Sequence, residues 1–189
     1  MKINNKKIII LGTAHLKSTP GKCSPDKKFY EYKYSREICH EVKDILENLG
    51  YIVFIDIEDD DLNMNQSQEL YHRCKIVNDL QKVYKNCIYV SIHVNGAGNG
   101  SKWTNATGWE AYTSTGVTSA DRLAECLYES AKKNLIGKKI RTDFSDKDSD
   151  KESNFYVLKH TLCPAVLTEN FFQDNKEDVS FLLSEIGRH

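Results

Sequence analysis

The chain has 189 residues, 40% of them apolar and 28% charged, with a formal net charge of −1. That balance excludes disorder, collagen and coiled coil, and a chain so near neutrality carries no electrostatic footprint for a nucleic-acid partner. The longest aliphatic run, Ile8-Ile9-Ile10-Leu11, falls far short of the about 20 apolar residues that span a bilayer, so no membrane span is expected.

Met1 to Lys7 imitates the basic start of a signal peptide, but the apolar stretch behind it is too short and no small-residue cleavage site follows. No export signal is therefore read. Lys7 to Gly12, rich in β-branched isoleucine, reads as a buried strand. Tyr34 to Leu49 reads as a helix, with Tyr34, Ile38, Val42, Ile45, Leu46 and Leu49 on its apolar face and Gly50 as its stop. Ile52 to Ile57 is again strand-like. Ser67 to Tyr84 follows as a helix striped by Leu70, Cys74, Val77, Leu80 and Tyr84.

Cys87 to His93 reads as a third strand, Asn95 to Gly108 as a glycine- and asparagine-rich loop, and Trp109 to Thr113 as a fourth strand. Thr118 with Asp121 resembles a capping box opening a helix through Leu123, Ala124, Leu127, Ala131 and Leu135. Phe155 to Leu158 and Ala165 to Glu169 are two further strand candidates. Asn175 with Asp178 caps a last helix carrying Val179, Leu182, Leu183 and Ile186. Two charged stretches, Glu58 to Asp61 and Asp143 to Asn154, read as solvated loops; the second is also placed to flank a substrate groove. The alternation predicts one α/β domain over residues 1–189, with a largely parallel twisted sheet and helices on both faces.

The six cysteines never form C-x-x-C, which argues against a thiolate zinc site. Cys39 and Cys126 fall in helix-like stretches, and Cys87 and Cys163 border strands. They read as free, mostly packed thiols of a reducing compartment.

Open parallel sheets bind ligands beyond the carboxyl ends of their strands. Strand one runs out to His15, strand three ends in His93 and Asn95, and the strand from Ala165 ends in Glu169. Glu31 sits in a loop just before the first long helix. Two imidazoles and a carboxylate, His15, His93 and Glu31, suit a catalytic zinc ion that keeps one position for water. Zinc lowers the pKa of such water from 15.7 to about 7. A carboxylate off the metal must then move that water's proton, and Glu169 fits by position. The plain alternatives stand beside this. Either histidine could be a satisfied structural residue, and Glu37 and Glu41 compete with Glu31. Glu169 is the least easily dismissed, because a carboxylate leaving a buried strand is costly unless paired. Asn95 is a candidate for substrate contact or, equally, for an Asx turn. Arg73 and Asn78 read as ties between helix and sheet, and Trp109 as buried. Trp103 remains a candidate for stacking on sugar. His40, His72, His160 and His189 show no paired ligand spacing.

At these positions the chain resembles the zinc-dependent N-acetylmuramoyl-L-alanine amidases, the catalytic domains of autolysins and phage endolysins. The resemblance rests on Ile8 to His15, the Pro20 to Asp26 loop leading to Glu31, and Arg73 with Asn78. It continues through Val90-Ser91-Ile92-His93-Val94-Asn95, Gly108 to Tyr112, Asn154 to Lys159 and Cys163 to Phe171. It covers nearly the whole chain. It implies one zinc ion held by His15, Glu31 and His93, with Glu169 catalytic. It also implies a six-stranded mixed sheet and, as substrate, the amide between the lactyl group of N-acetylmuramic acid and the first L-alanine of the stem peptide. Where the family usually has Gly-His-Gly, this chain has Ala14-His15-Leu16, which alters the loop around the first ligand. Arg141-Thr142 replaces the usual Arg-Gly pair, and Arg141 receives no role.

The expectation is thus a monomeric peptidoglycan hydrolase without a separate wall-binding domain, made in the cytoplasm and acting on the wall after release or export. The rivals are a related zinc peptidase or amidase with another substrate, an inactive peptidoglycan-binding module, and a cysteine hydrolase. No thiol is expected beside a histidine at the rim.

Overall fold

The computed structural model describes residues 7–145 and 147–188. The export reading of the first residues and the terminal His189 therefore lie outside the described residues. The sheet is built from β1 (Ile8–Thr13), β2 (Ile52–Ile55), β3 (Cys87–Asn95), β4 (Trp109–Thr113), β5 (Lys151–Glu152) and β6 (Ala165–Phe172), in the order β2-β1-β3-β6-β4-β5. All neighbours run parallel except β4 and β6, which are antiparallel. This is the mixed, largely parallel sheet expected from the sequence.

Every residue of β1 is buried, because it lies between β2 and β3 with helices on both sides. On one face Ile9, Leu11 and Ile92 pack with Cys39, Val42 and Leu46 of α1 (Glu31–Asn48). The same face receives α3 (Asp121–Asn134) through Ala124, Tyr128 and Ala131, and α5 (Lys176–Leu182) through Val179 and Leu182. On the other face Ile8, Ile10, Tyr89 and Leu167 meet α2 (Gln66–Tyr84) through Cys74 and Val77, and α4 (Tyr156–His160) through Val157 and Leu158. The period of two along the strands thus divides the core into two layers.

α2 starts at a full capping box, Asn65 with Gln68. α1 ends as the sequence predicts: the Gly50 amide donates to Glu47 and that of Tyr51 to Leu46, with Gly50 at φ 78°. Lys43 of α1 reaches past the sheet edge and donates to the Val53 carbonyl at 2.9 Å. Asn78 ties α2 to the turn after α4, donating to the His160 carbonyl and accepting from the Leu162 amide. Among the described residues no helix is long and apolar enough to cross a membrane, and all six cysteines are free.

Several expectations are corrected. Phe155 to Leu158 is not a strand: Tyr156 onward forms α4, whose adjacent Val157 and Leu158 are both buried against α2 and the sheet. The first helix begins three residues earlier than expected, so Glu31 is its first residue rather than part of the loop before it. Ile45 and Leu49 face solvent, and Ser35 and Cys39 occupy the buried stripe instead. The last helix breaks after Leu182, and Leu183 and Ile186 are exposed, the latter on the short α6 (Glu185–Arg188). Thr118 and Asp121 do bond, but the residue before α3 is Ala120, which has no capping side chain. Finally, the stretch after Asp143 is not wholly solvated: Ser149 and Asp150 are buried and lead into β5. Burial, reinforced by the charges of Asp148 and Asp121, raises Asp150 to about 7. Thr113 opposes that rise by donating to the Asp150 carboxylate at 2.7 Å.

Candidate metal centre

Four segments deliver the site. The chain leaves β1 and turns at His15, whose φ of 46° lies in the left-handed region. Ala14 and Leu16, the residues that depart from the glycine pattern, are both fully buried, so the turn is packed from either side. The Ala14 amide donates to Ser35 Oγ at 2.8 Å, and Arg36 Nη1 donates to the His15 carbonyl at 3.0 Å. α1 thereby clamps the histidine loop and contributes Glu31 from its own first turn. His93 stands on β3 in register with Glu169 on β6. β6 does not end at Glu169 as expected but continues to Phe172, across a bulge that shifts register between His93 and Asn95. Glu169 therefore rises from the middle of a strand, where the backbone is held on both sides.

Ligand atoms of His15, Glu31 and His93 all lie within 4.8 Å of one another. Glu31 Oε1 receives the Val94 amide at 3.0 Å and lies 3.0 Å from His93 Nδ1. Its other oxygen, Oε2, is buried, stands 3.7 Å from His15 Nε2 and has no hydrogen-bond partner. The two imidazole rings sit edge to face, 5.1 Å apart. Lys22 Nζ closes the mouth, 4.0 Å from Glu31 Oε2. The sequence thus brings together the three expected ligands, while Glu37 and Glu41 bond Arg188 at the far end of the chain.

The electrostatics agree with a ligand set. Burial drops His15 to about 3 against the attraction of Glu31, so its ring is neutral. Burial pushes the Glu31 carboxyl up, but the His93 contact and nearby positive charge outweigh this and hold it below the usual carboxylate range. Neutral imidazole and ionised carboxylate are the forms that bind zinc. The unpartnered Glu31 oxygen is a second sign, because a buried carboxylate oxygen left without a donor is costly. The residues fit a divalent ion.

Glu169 lines the same cavity, of about 240 Å³, with His15, His93, Lys22, Phe155 and Tyr156. Burial, and then the charge of Glu31, raise its pKa well above the ordinary carboxylate value. Its Oε2 is also buried and without a partner.

Other candidates resolve differently. Asn95 Nδ2 donates to Glu110 at 2.6 Å, and its Oδ1 accepts from the Gly96 amide. Arg73 bonds Asp56, Glu69 and Thr13, a tie from α2 to the sheet as expected. Trp109 is buried and donates to Asn170. The sequence reading missed Glu110, which lies directly across from Glu169 in the β4–β6 register. Its signal was available: period two places residue 110 opposite the buried Trp109 and Ala111 yet on an inner strand.

The family model described as N-acetylmuramoyl-L-alanine amidase matches residues 9–189. The amidase CwlM of Bacillus licheniformis is 35% identical over 97 residues, 51% of this chain and 32% of that protein. The chain therefore spans about a third of that relative's length. Among solved structures, the catalytic domain of the amidase CwlV from Bacillus (Paenibacillus) polymyxa var. colistinus matches with a TM-score of 0.75 at 23% identity. The match covers 97% of this chain and 91% of that one. An N-acetylmuramoyl-L-alanine amidase from Clostridium difficile 630 matches with a TM-score of 0.77 at 22% identity, covering 98% and 90%. These structures share the fold.

Proposed function

The chain belongs to the N-acetylmuramoyl-L-alanine amidase family, and on that premise we propose that it hydrolyses the amide joining N-acetylmuramic acid to the first L-alanine of the peptidoglycan stem peptide. His15, Glu31 and His93 hold one zinc ion, and Glu169 is the catalytic acid and base. The observation that carries this reading is a pair of buried carboxylates, each with an oxygen lacking a hydrogen-bond partner: Glu31, clustered with the imidazoles of His15 and His93, and Glu169, which lines one cavity with those imidazoles.

When bound, zinc supplies Lewis acidity toward the lactyl carbonyl and acidifies water to a pKa of about 7. The protein supplies the proton traffic. Glu169 takes a proton from the attacking water as its oxygen bonds the lactyl carbon. As the carbon–nitrogen bond breaks, Glu169 returns that proton to the alanine nitrogen. The products are a lactyl acid and a free stem-peptide amine. A carboxyl with raised proton affinity suits both halves of this cycle, since a general acid–base works best with a pKa near the working pH. Glu31, held ionised by its contacts, is the anionic ligand. The left-handed turn at His15 and the clamp from Arg36 keep the first imidazole aimed at the cavity.

The substrate lies outside the cytoplasm, so the enzyme acts on the wall after release or export, as a monomer. Incubation of the purified protein with muropeptides tests the reading: free stem peptide should appear, and zinc analysis should give one equivalent per chain. Release of no stem peptide by zinc-loaded protein would refute it.

A further inference from the structure

Glu110 is a buried carboxylate that this chemistry leaves unused, and it sits one strand from Glu169. It accepts from Arg141 Nε at 2.7 Å, Lys151 Nζ at 2.5 Å, Asn95 Nδ2 at 2.6 Å and the Tyr112 hydroxyl at 3.1 Å. Four donors converging on one carboxylate fix the positions of all four.

Arg141 is the most constrained of them. Its amide donates to the Trp109 carbonyl at 2.8 Å, and its own carbonyl accepts from the Tyr128 hydroxyl at 2.9 Å. Its guanidinium lies over the Phe172 ring, 5.3 Å from the centroid. Its side chain passes Gly108, which adopts φ +122°; a Cβ there would come within 2.9 Å of Arg141 Cγ. Yet this side chain, 30% exposed, reaches Glu110 through Nε alone, and among the described residues its two terminal nitrogens donate to nothing. The result is a guanidinium held by Glu110 through Nε and by the Phe172 ring, with two terminal nitrogens left to bind a second carboxylate through two parallel bonds.

The substrate class follows from reach and chemistry. Glu110 and Glu169 are cross-strand partners about 5 Å apart at their β-carbons, and Arg141 lies beyond Glu110, so the fork stands roughly 8–12 Å from Glu169. An extended peptide covers that distance in about two to three residues. In the proposed substrate the carboxyl of N-acetylmuramic acid is consumed in the scissile amide, so free carboxylates belong to the peptide. We propose that Arg141 is a specificity-determining residue that binds a carboxylate of the stem peptide about two residues beyond the scissile bond. Lys151 and Asn95 hold Glu110, which in turn aims Arg141.

The inference rests on the amidase reading, and the test separates the two. Two muropeptides are compared that differ only in the second stem residue, its α-carboxyl free in one and amidated in the other. Wild-type enzyme should favour the free acid in kcat/KM by about tenfold or more, the scale of a charge-assisted pair. Arg141→Gln should bring that ratio near one, chiefly through KM, and Arg141→Lys should leave it in between. A wild-type ratio near one overturns the proposal without any variant, so misfolding of Arg141→Gln cannot shelter it. If neither muropeptide is cleaved, the amidase reading fails. Calorimetric binding of the same two intact molecules to zinc-loaded wild type then decides the carboxylate preference by the same ratio.

Discussion

Two groups of buried charge meet the carboxyl end of β1, and they differ in how fully they are satisfied. In the first, Asp56 accepts from the Thr13 amide and hydroxyl, the Ile57 amide, Arg73 and the Tyr89 hydroxyl. Arg73 spends its remaining donors on Glu69, Thr13 and the His15 carbonyl. Every member has partners, and the group joins β1, β2, β3 and α2. Gly12 belongs to the same fit, since a Cβ there would lie 2.3 Å from the Tyr89 hydroxyl. In the second, gathered around His15 just beyond the strand end, Glu31 and Glu169 each keep a buried oxygen without a hydrogen-bond donor. Both groups place carboxylates among polar residues in the interior. The complete set suits a group that holds the fold; the open oxygens of the second, clustered with two imidazoles, suit a site for a ligand.

The largest effect that sharpens this contrast is catalytic. Glu169→Gln should lower kcat on muropeptides by about 100- to 10,000-fold while leaving the zinc content at one equivalent. Loss of zinc in that variant would make Glu169 a ligand instead. The structural group should fail differently. Asp56→Ala leaves Arg73 and Tyr89 facing an empty place and should cost about 3–5 kcal/mol in urea unfolding. In the metal-free protein Glu169→Gln should leave the same midpoint unchanged or raise it, because it removes an unpaired buried carboxyl. Equal losses in the two variants would erase the distinction.

A third carboxylate, Asp150, tests the rule between these extremes, since Thr113 bonds one of its oxygens while Asp148, a second carboxylate, stands beside it. Its folded pKa of about 7 exceeds the unfolded value of about 3.9, so its contribution to stability is complete below about pH 4 and gone above about pH 7. Asp150→Asn should remove that slope, and its advantage over wild type should open as pH rises from about 4 to about 7 and level off above that, on the order of 2 kcal/mol by thermal unfolding. A constant difference from pH 4 to 8 would contradict the assignment. The smallest effect belongs to Asn78→Ala, which breaks two bonds at the exposed end of α2 and should cost about 1 kcal/mol with activity unchanged.

Much of the fold was legible because its elements are long and periodic. β1, β3 and β4 lie where isoleucine-rich or alternating runs predict them, and α2 begins within a residue of its expected start. The misreadings have local causes. Five-residue α4 is too short to show a helical period, and buried neighbours Val157 and Leu158 look like a strand. α1 starts on Tyr30 with no capping side chain, so nothing in the residues announces its beginning at Glu31. β5 is two charged residues, and the burial of Asp150 beside it depends on tertiary neighbours that polar composition conceals. At the site, the three candidate ligands and Glu169 could be selected from strand ends and chemistry. Glu110 could have been found from the period of two along its strand, whereas the setting of Arg141 depends on tertiary contacts with Glu110 and on the space that Gly108 leaves.

The outermost strands are the shortest in the sheet, four residues in β2 and two in β5. A long bare edge would be a template on which a second molecule could add its own strand, the first step toward aggregation. Here one edge is nearly absent, and on the other a lysine from α1 already occupies the Val53 carbonyl. Short borders and a lysine already bonded to one edge carbonyl both disfavour self-association by backbone pairing, even though the strands are among the most apolar stretches of the chain.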